Sequence, residues 1–215
     1  MKYFLLVILL MLTIQVFPKS SNYPVIQIFG PYMDQVVNAE GIIYYGLDFS
    51  KMVFTDQRKL GQDQRMRKFI PSWIYFFQKE VDPDFYIKKW LRKGDNFESE
   101  LTEVQEKFNK GMDSWISSNK YSFNTDTLQM VINSYKLTKT EGIGFVINLE
   151  NFNKEERYLT AYFTFFDIAT RQILWATKIR SRPGGHGMTA YWGEGIRDGI
   201  KIYMDEVYFK SVKKQ

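Results

Sequence analysis

The chain has no cysteine and a single histidine, His186. Without thiols there is no disulfide, no thiol nucleophile and no attachment point for a lipid carried on cysteine. A zinc site rich in Cys or His is excluded on the same grounds. A serine triad would have to recruit His186, yet no G-x-S-x-G elbow occurs. No G-x-x-x-x-G-K-[ST] loop occurs either. Carboxylates for glycoside hydrolysis are plentiful, but no spacing singles out a pair. The reading favours a non-enzymatic protein without metal or cofactor and assigns no catalytic residue.

Long apolar runs are scarce as well. The prominent one is Tyr3 to Phe17, fifteen uncharged residues behind Lys2 and ahead of Pro18-Lys19-Ser20-Ser21. It is short for a bilayer span and suits a secretory signal. Residues 1–21 are therefore expected to be a signal peptide, and residues 22–215 a single globular domain with no transmembrane span. No A-x-A cleavage pattern is present; cutting near Ser20 or Ser21 is the expectation and an uncleaved N-terminal anchor the alternative. Export without disulfides fits a Gram-negative periplasm or cell surface.

Charge of one sign is also modest. The net +5 falls to +3 once Lys2 and Lys19 are removed with the signal. Basic clusters at Arg58-Lys59, Arg65 to Lys68, Lys88-Lys89 and Arg92-Lys93 read as solvated faces. An exported chain of this balance is not expected to meet nucleic acid.

Aromatic residues, at 17%, are abundant. Tyr158–Asp167 alternates, with Leu159, Ala161, Phe163 and Phe165 on one side and Tyr158, Thr160, Tyr162, Thr164 and Phe166 on the other. That period of two predicts a strand with both faces at least partly covered. Gln172–Ile179 predicts a second strand, antiparallel to the first across the short turn from Asp167. Gly142–Leu149 predicts a strand preceding them, with Asn151–Glu156 as the turn between, so three strands form a meander. Trp192, Ile196, Ile200, Tyr203 and Val207 predict one face of a final helix, capped by Thr189. Gly195 and Gly199 predict close approach of that helix to the sheet.

Upstream, Val25–Phe29 reads as a short edge strand. Ile42–Phe54 reads as a strand region with a bulge or bend near Gly46 and Asp48-Phe49-Ser50. Phe69–Phe77, Asp82–Gly94 and Thr125–Leu137 read as helices. Phe97–Ile116 leaves two readings open: a helix with Phe97, Leu101, Val104, Phe108, Met112 and Trp115 on one face, interrupted at Gly111, or a strand followed by an irregular stretch, which is the expectation carried forward. The expected fold is an α/β (α+β) sandwich: a mixed, largely antiparallel sheet with a C-terminal three-strand meander and a long final helix packed on it.

The loop before that helix is the candidate site. Arg180, Arg182, Gly184, Gly185, His186 and Gly187 lead into the helix, and Trp192 is the first residue of its apolar face. Gly185 to Ala190 matches G-x-G-x-x-A, but no further strand is available to complete a dinucleotide-binding unit. A small-ligand (anion or sugar) binder, or a hydrolase, using the Arg180–Trp192 loop is the functional alternative; a plain connection back over the sheet is the structural one.

Tyr44–Met52 (YYGLDFSKM), Gly142–Glu156 with Ala161–Lys178, and Gly184–Trp192 (GGHGMTAYW) together resemble a functionally uncharacterised family of exported proteins of Gram-negative bacteria. The order of strand, D-x-x-T turn, strand and final helix is also similar, remotely, to the periplasmic α/β domain of curli-secretion and envelope-assembly lipoproteins. Their lipidated cysteine has no counterpart here. The resemblance implies an envelope protein whose partner is another envelope protein or a cell-surface component.

Overall fold

Both faces of the C-terminal hairpin are buried, as the alternation predicts. The computed structural model describes residues 25–55, 72, 75–77, 83–101, 104, 116–117 and 121–213. The expected signal, residues 1–21, lies outside these, as do the basic clusters at Arg58-Lys59 and Arg65 to Lys68. Strand β6 (Ile143–Asn153), β7 (Tyr158–Asp167) and β8 (Ile173–Ser181) form the antiparallel meander. In the β7–β8 turn, Asp167 Oδ1 accepts from the backbone N–H and the hydroxyl of Thr170.

The rest of the sheet is added on both sides. β1 (Val25–Phe29) pairs antiparallel with β8 and forms one edge. β2 (Ile42–Asp48) lies parallel to β6 and to β4 (Phe97–Ser99). β3 (Val53–Thr55) continues alongside β6 and also pairs with β5 (Ile116–Ser117), both parallel. The expected bend is the break between β2 and β3. Asp48 Oδ1 accepts the Ser50 N–H at 2.7 Å, and Gly46 adopts φ 86° where the β2–β6 register shifts. The sheet is thus mixed and mostly antiparallel.

One face is covered by the last helix, α4 (Met188–Ile202), which runs through a π-helical turn at Tyr203–Tyr208 into α5 (Phe209–Val212) when the intervening helices are numbered in chain order. Those helices are α1 (Met33–Asn38), α2 (Pro83–Leu91) and α3 (Thr125–Asn133). Trp192, Ile196, Ile200, Tyr203 and Val207 are all buried. Tyr203 stacks on Phe163 at 4.4 Å, and Phe145 stacks on Phe165 at 4.3 Å. A methyl group added at Gly195 would lie 3.3 Å from Pro183, and one at Gly199 would lie 3.4 Å from Ser181 Oγ. The two glycines therefore admit the close approach that the sequence predicts. The gap left between helix and sheet, lined in part by Ile147, Ala161 and Ile196, has no room for a water molecule.

The opposite face is covered by α3 and by the segment that leads into it. Leu128, Val131, Ile132 and Tyr135 are buried there against Tyr45, Val146, Tyr162 and Phe166. The cap of α3 is Asn124 rather than the Thr125 expected from the sequence; its Oδ1 accepts the Thr127 N–H at 2.9 Å. In α2, Ile87 and Leu91 are buried and Trp90 is partly so. Of the helix expected at Phe69–Phe77, Ser72 and Tyr75–Phe77 are described, and Phe77 packs on Phe49 at 6.1 Å. Of Phe97–Ile116, the described strand covers Phe97–Ser99, and most of the expected irregular stretch lies outside the described residues. Among the described residues, no helix is long and apolar enough to cross a membrane.

Candidate binding surface

Strand alternation sends the loop's candidate residues to different places. Arg180 belongs to the face opposite α4, where its guanidinium lies 4.6 Å from the centre of the Tyr158 ring. Its Nε is buried without a hydrogen-bond partner. Ser181 points the other way and donates to the Gly195 carbonyl at 2.6 Å, which pins the start of the loop to α4. The Arg182 side chain is exposed, and its backbone N–H donates to Asp198 Oδ2 at 3.0 Å. Gly184 donates to the Tyr191 carbonyl at 3.1 Å, while Gly185 and Gly187 take φ values of 84° and 78°. His186 between them is exposed. Helix α4 begins at Met188 with Gly187 at its cap and no side-chain cap bond, so Thr189 lies inside the first turn. Trp192 is fully buried, stacked on Phe152 at 4.7 Å. Arg182 and the glycines therefore share the loop, Trp192 is core beneath it, and Arg180 lies across the sheet.

Two further cations stand at the same end of the sheet. The turn between β6 and β7 carries Lys154, whose ammonium lies 3.4 Å from the Tyr191 ring centre, and Arg157, in the left-handed region at φ 56°. Burial, and then the charge of Arg157, hold the Lys154 ammonium below its ordinary value. Burial raises the Tyr191 hydroxyl, while Arg157 pulls it down. Among the described residues, none of Lys154, Arg157, Arg180 and Arg182 forms a salt bridge.

Sequence patterns do not reveal a buried polar network on the α3 face. A bulge in β6 turns Glu150 and Asn151 to the same side, and Asn151–Asn153, expected in the turn, remain in the strand. Glu150 Oε1 accepts from Phe123 N–H at 2.8 Å, Ser122 Oγ at 3.1 Å and Lys178 Nζ at 2.8 Å. Its Oε2 accepts from Thr160 Oγ1 at 2.7 Å. Tyr162 donates to the Phe123 carbonyl at 2.6 Å, and Asn151 Nδ2 to the Tyr121 carbonyl at 3.1 Å. The segment 121–124 is thus strapped to the sheet. A second group joins β2 to β6 and β7. Asp48 Oδ2 accepts from Tyr135 OH at 2.6 Å and Asn148 Nδ2 at 3.0 Å, and Thr164 donates to Asn148 Oδ1 at 2.8 Å. Burial first, then Asp48, raises the Tyr135 hydroxyl well above its ordinary value. The one signal of it in the sequence is the pair of polar residues at alternate positions of β7, Thr160 and Thr164, on a face that also carries Tyr162 and Phe166.

No protein-family model, curated protein or solved structure matches the chain. The chemistry must be read from the side chains alone. Glu150 and Asp48 are both occupied by structural donors, which suits them to holding strands together. Among the described residues, no three acidic or histidine side chains converge as a metal site. The groups with chemistry to spare are the cations around the loop.

Proposed function

We propose that the chain is an exported envelope or cell-surface protein that acts by contact with another envelope protein or surface component and not by catalysis. The supporting observation is the occupation of its buried carboxylates. Glu150 holds the strap and Lys178, Asp48 holds Tyr135 and Asn148, and neither is left as a base or nucleophile. The apolar run Tyr3–Phe17, and the resemblance to exported Gram-negative proteins, support the compartment. In this reading residues 1–21 direct export and residues 22–215 are the working domain in the periplasm or at the cell surface.

The test is a panel of glycoside, ester and phosphate substrates offered to the purified protein. No turnover above a heat-denatured control is expected. Turnover that Glu150→Gln or Asp48→Asn abolishes, with the melting temperature preserved, would contradict the reading.

A second reading, a small-anion binder at the loop, is favoured by Lys154, Arg157 and Arg182, which stand beside it without salt bridges among the described residues. A thermal-shift screen of sulfate, phosphate and sugars separates it from the first, with Gly185→Val and Arg182→Ala as the variants that should lose the response.

A further inference from the structure

We propose that the end of the sheet bearing Lys154, Arg157, Arg180 and Arg182 is a membrane-contact surface for anionic phosphate headgroups. The strand registers bring the four together. Asn153 of β6 pairs with Tyr158 of β7, and Leu159 of β7 pairs with Ser181 of β8. The β6–β7 turn and the end of β8 therefore share one end of the domain, and the Lys154–Tyr191 contact adds the start of α4 to it. Two of the cations are already oriented, Lys154 on Tyr191 and Arg180 on Tyr158. Holding a long cationic side chain on a ring lowers the entropy lost when it meets an anion. Tyrosine is also suited to a polar–apolar boundary.

The local acids leave this end with a small positive excess. Glu155, Glu156, Glu194 and Asp198 stand against Lys154, Arg157, Arg180, Arg182 and Arg197 at this end, a balance of +1. Glu194 is bonded to Arg197 at 2.7 Å, and Asp198 accepts the Arg182 N–H. The cations are spread over three elements, which matches a surface carrying many phosphates better than a single small anion.

The route of the chain supplies the orientation. β1 runs antiparallel to β8, and Val25 pairs with Ile179, one residue from Arg180. The sequence before Val25, with its apolar run Tyr3–Phe17, therefore joins the domain at this same end. A retained segment that enters a bilayer brings the four cations to the headgroups.

This inference rests on the export reading, but its test does not. The protein is purified in the form in which it accumulates in the exporting cell. Its partition is then measured onto vesicles of phosphatidylcholine alone and of phosphatidylcholine with phosphatidylglycerol. An apolar N-terminus, if retained, acts on both; the ratio between them reports the cations. Each cation near an anionic surface contributes roughly fivefold, equivalent to about 1 kcal/mol. Arg157→Asn with Arg182→Gln should therefore lower the ratio by roughly 25-fold at low salt. Asn tolerates the left-handed backbone at position 157, and Arg182 is exposed, so the melting temperature should hold. Lys136→Gln with Lys201→Gln removes the same charge at exposed positions elsewhere and should leave the ratio unchanged. Equal partition onto the two vesicle types, or an unchanged ratio in the Arg157/Arg182 variant, overturns the proposal. So does displacement by low concentrations of free inorganic phosphate at constant ionic strength, which would mark a discrete anion site. Cell fractionation decides the export reading separately.

Discussion

The ammonium of Lys178 lies 2.8 Å from both carboxylate oxygens of Glu150, beneath the strap formed by Ser122 and Phe123. The side chains are 9% and 1% exposed, so the pair is cut off from solvent screening. Lys178→Met removes one partner and leaves a buried carboxylate without its counter-charge. Stability should fall by about 3–5 kcal/mol. Adding Glu150→Gln should recover part of the loss, because a neutral amide oxygen still accepts the Phe123 N–H. Urea unfolding of both variants tests this. A loss under about 1 kcal/mol for Lys178→Met, the range of an exposed pair, would mean that the strap is open in solution.

Phe163 marks the face covered by the last helix. It is 2% exposed and stacks on Tyr203. Phe163→Ala should cost about 3–5 kcal/mol as a buried aromatic truncation, read from chemical denaturation. A cost below about 1 kcal/mol would place the helix elsewhere.

Gly144 lies under the ring of Phe166 on the neighbouring strand. A methyl group there would lie 2.4 Å from Phe166 Cζ. Gly144→Ala should destabilise by about 1–3 kcal/mol through overpacking. In a Phe166→Leu background the same substitution should cost measurably less. Additive costs would show that the ring and the glycine are not in contact.

Alkaline pH should unfold the domain through its tyrosines. Burial, opposed by Arg92, pushes the Tyr208 hydroxyl up to about 12. Burial also holds Tyr203 and Tyr162 above their ordinary value, assisted by Tyr208 and Glu150 respectively. These groups bind their proton more tightly folded than unfolded. Their stabilisation is complete below the unfolded value of about 10 and is lost as pH rises towards about 12. Lys93 and Lys154, lowered by burial, act in the opposite sense. With the tyrosines dominant, the urea midpoint should fall steadily through this window, and tyrosinate absorbance should rise together with unfolding. A flat midpoint with early tyrosinate formation would contradict their burial.

The parts of the fold visible in the sequence are those set by local period. Alternation through Phe163 and Phe165 marks β7, and Trp192, Ile196, Ile200, Tyr203 and Val207 mark the final helix. The parallel pairing of Ile43 with Gly144 joins residues about a hundred positions apart, and no local pattern encodes it. Asn151 reads as a turn residue because its polarity is visible while Thr55 and the Tyr121 carbonyl that satisfy it are distant in sequence. Local patterns misplace the caps of both helices, by one residue at Asn124 and by two at Gly187. The candidate loop is visible from its glycines and arginines. Lys154 and Arg157 join it only through the register of β6 and β7.

Export underlies both the proposed function and the membrane contact, and the N-terminus of the accumulated protein tests it most directly. Cells expressing the full chain are fractionated, and the N-terminal peptide is identified by mass spectrometry. The account predicts a chain in the periplasmic or surface fraction that begins near Ser20 or Ser21, with the retained anchor as its membrane-bound alternative. A chain beginning at Met1 and free in the cell interior would contradict it.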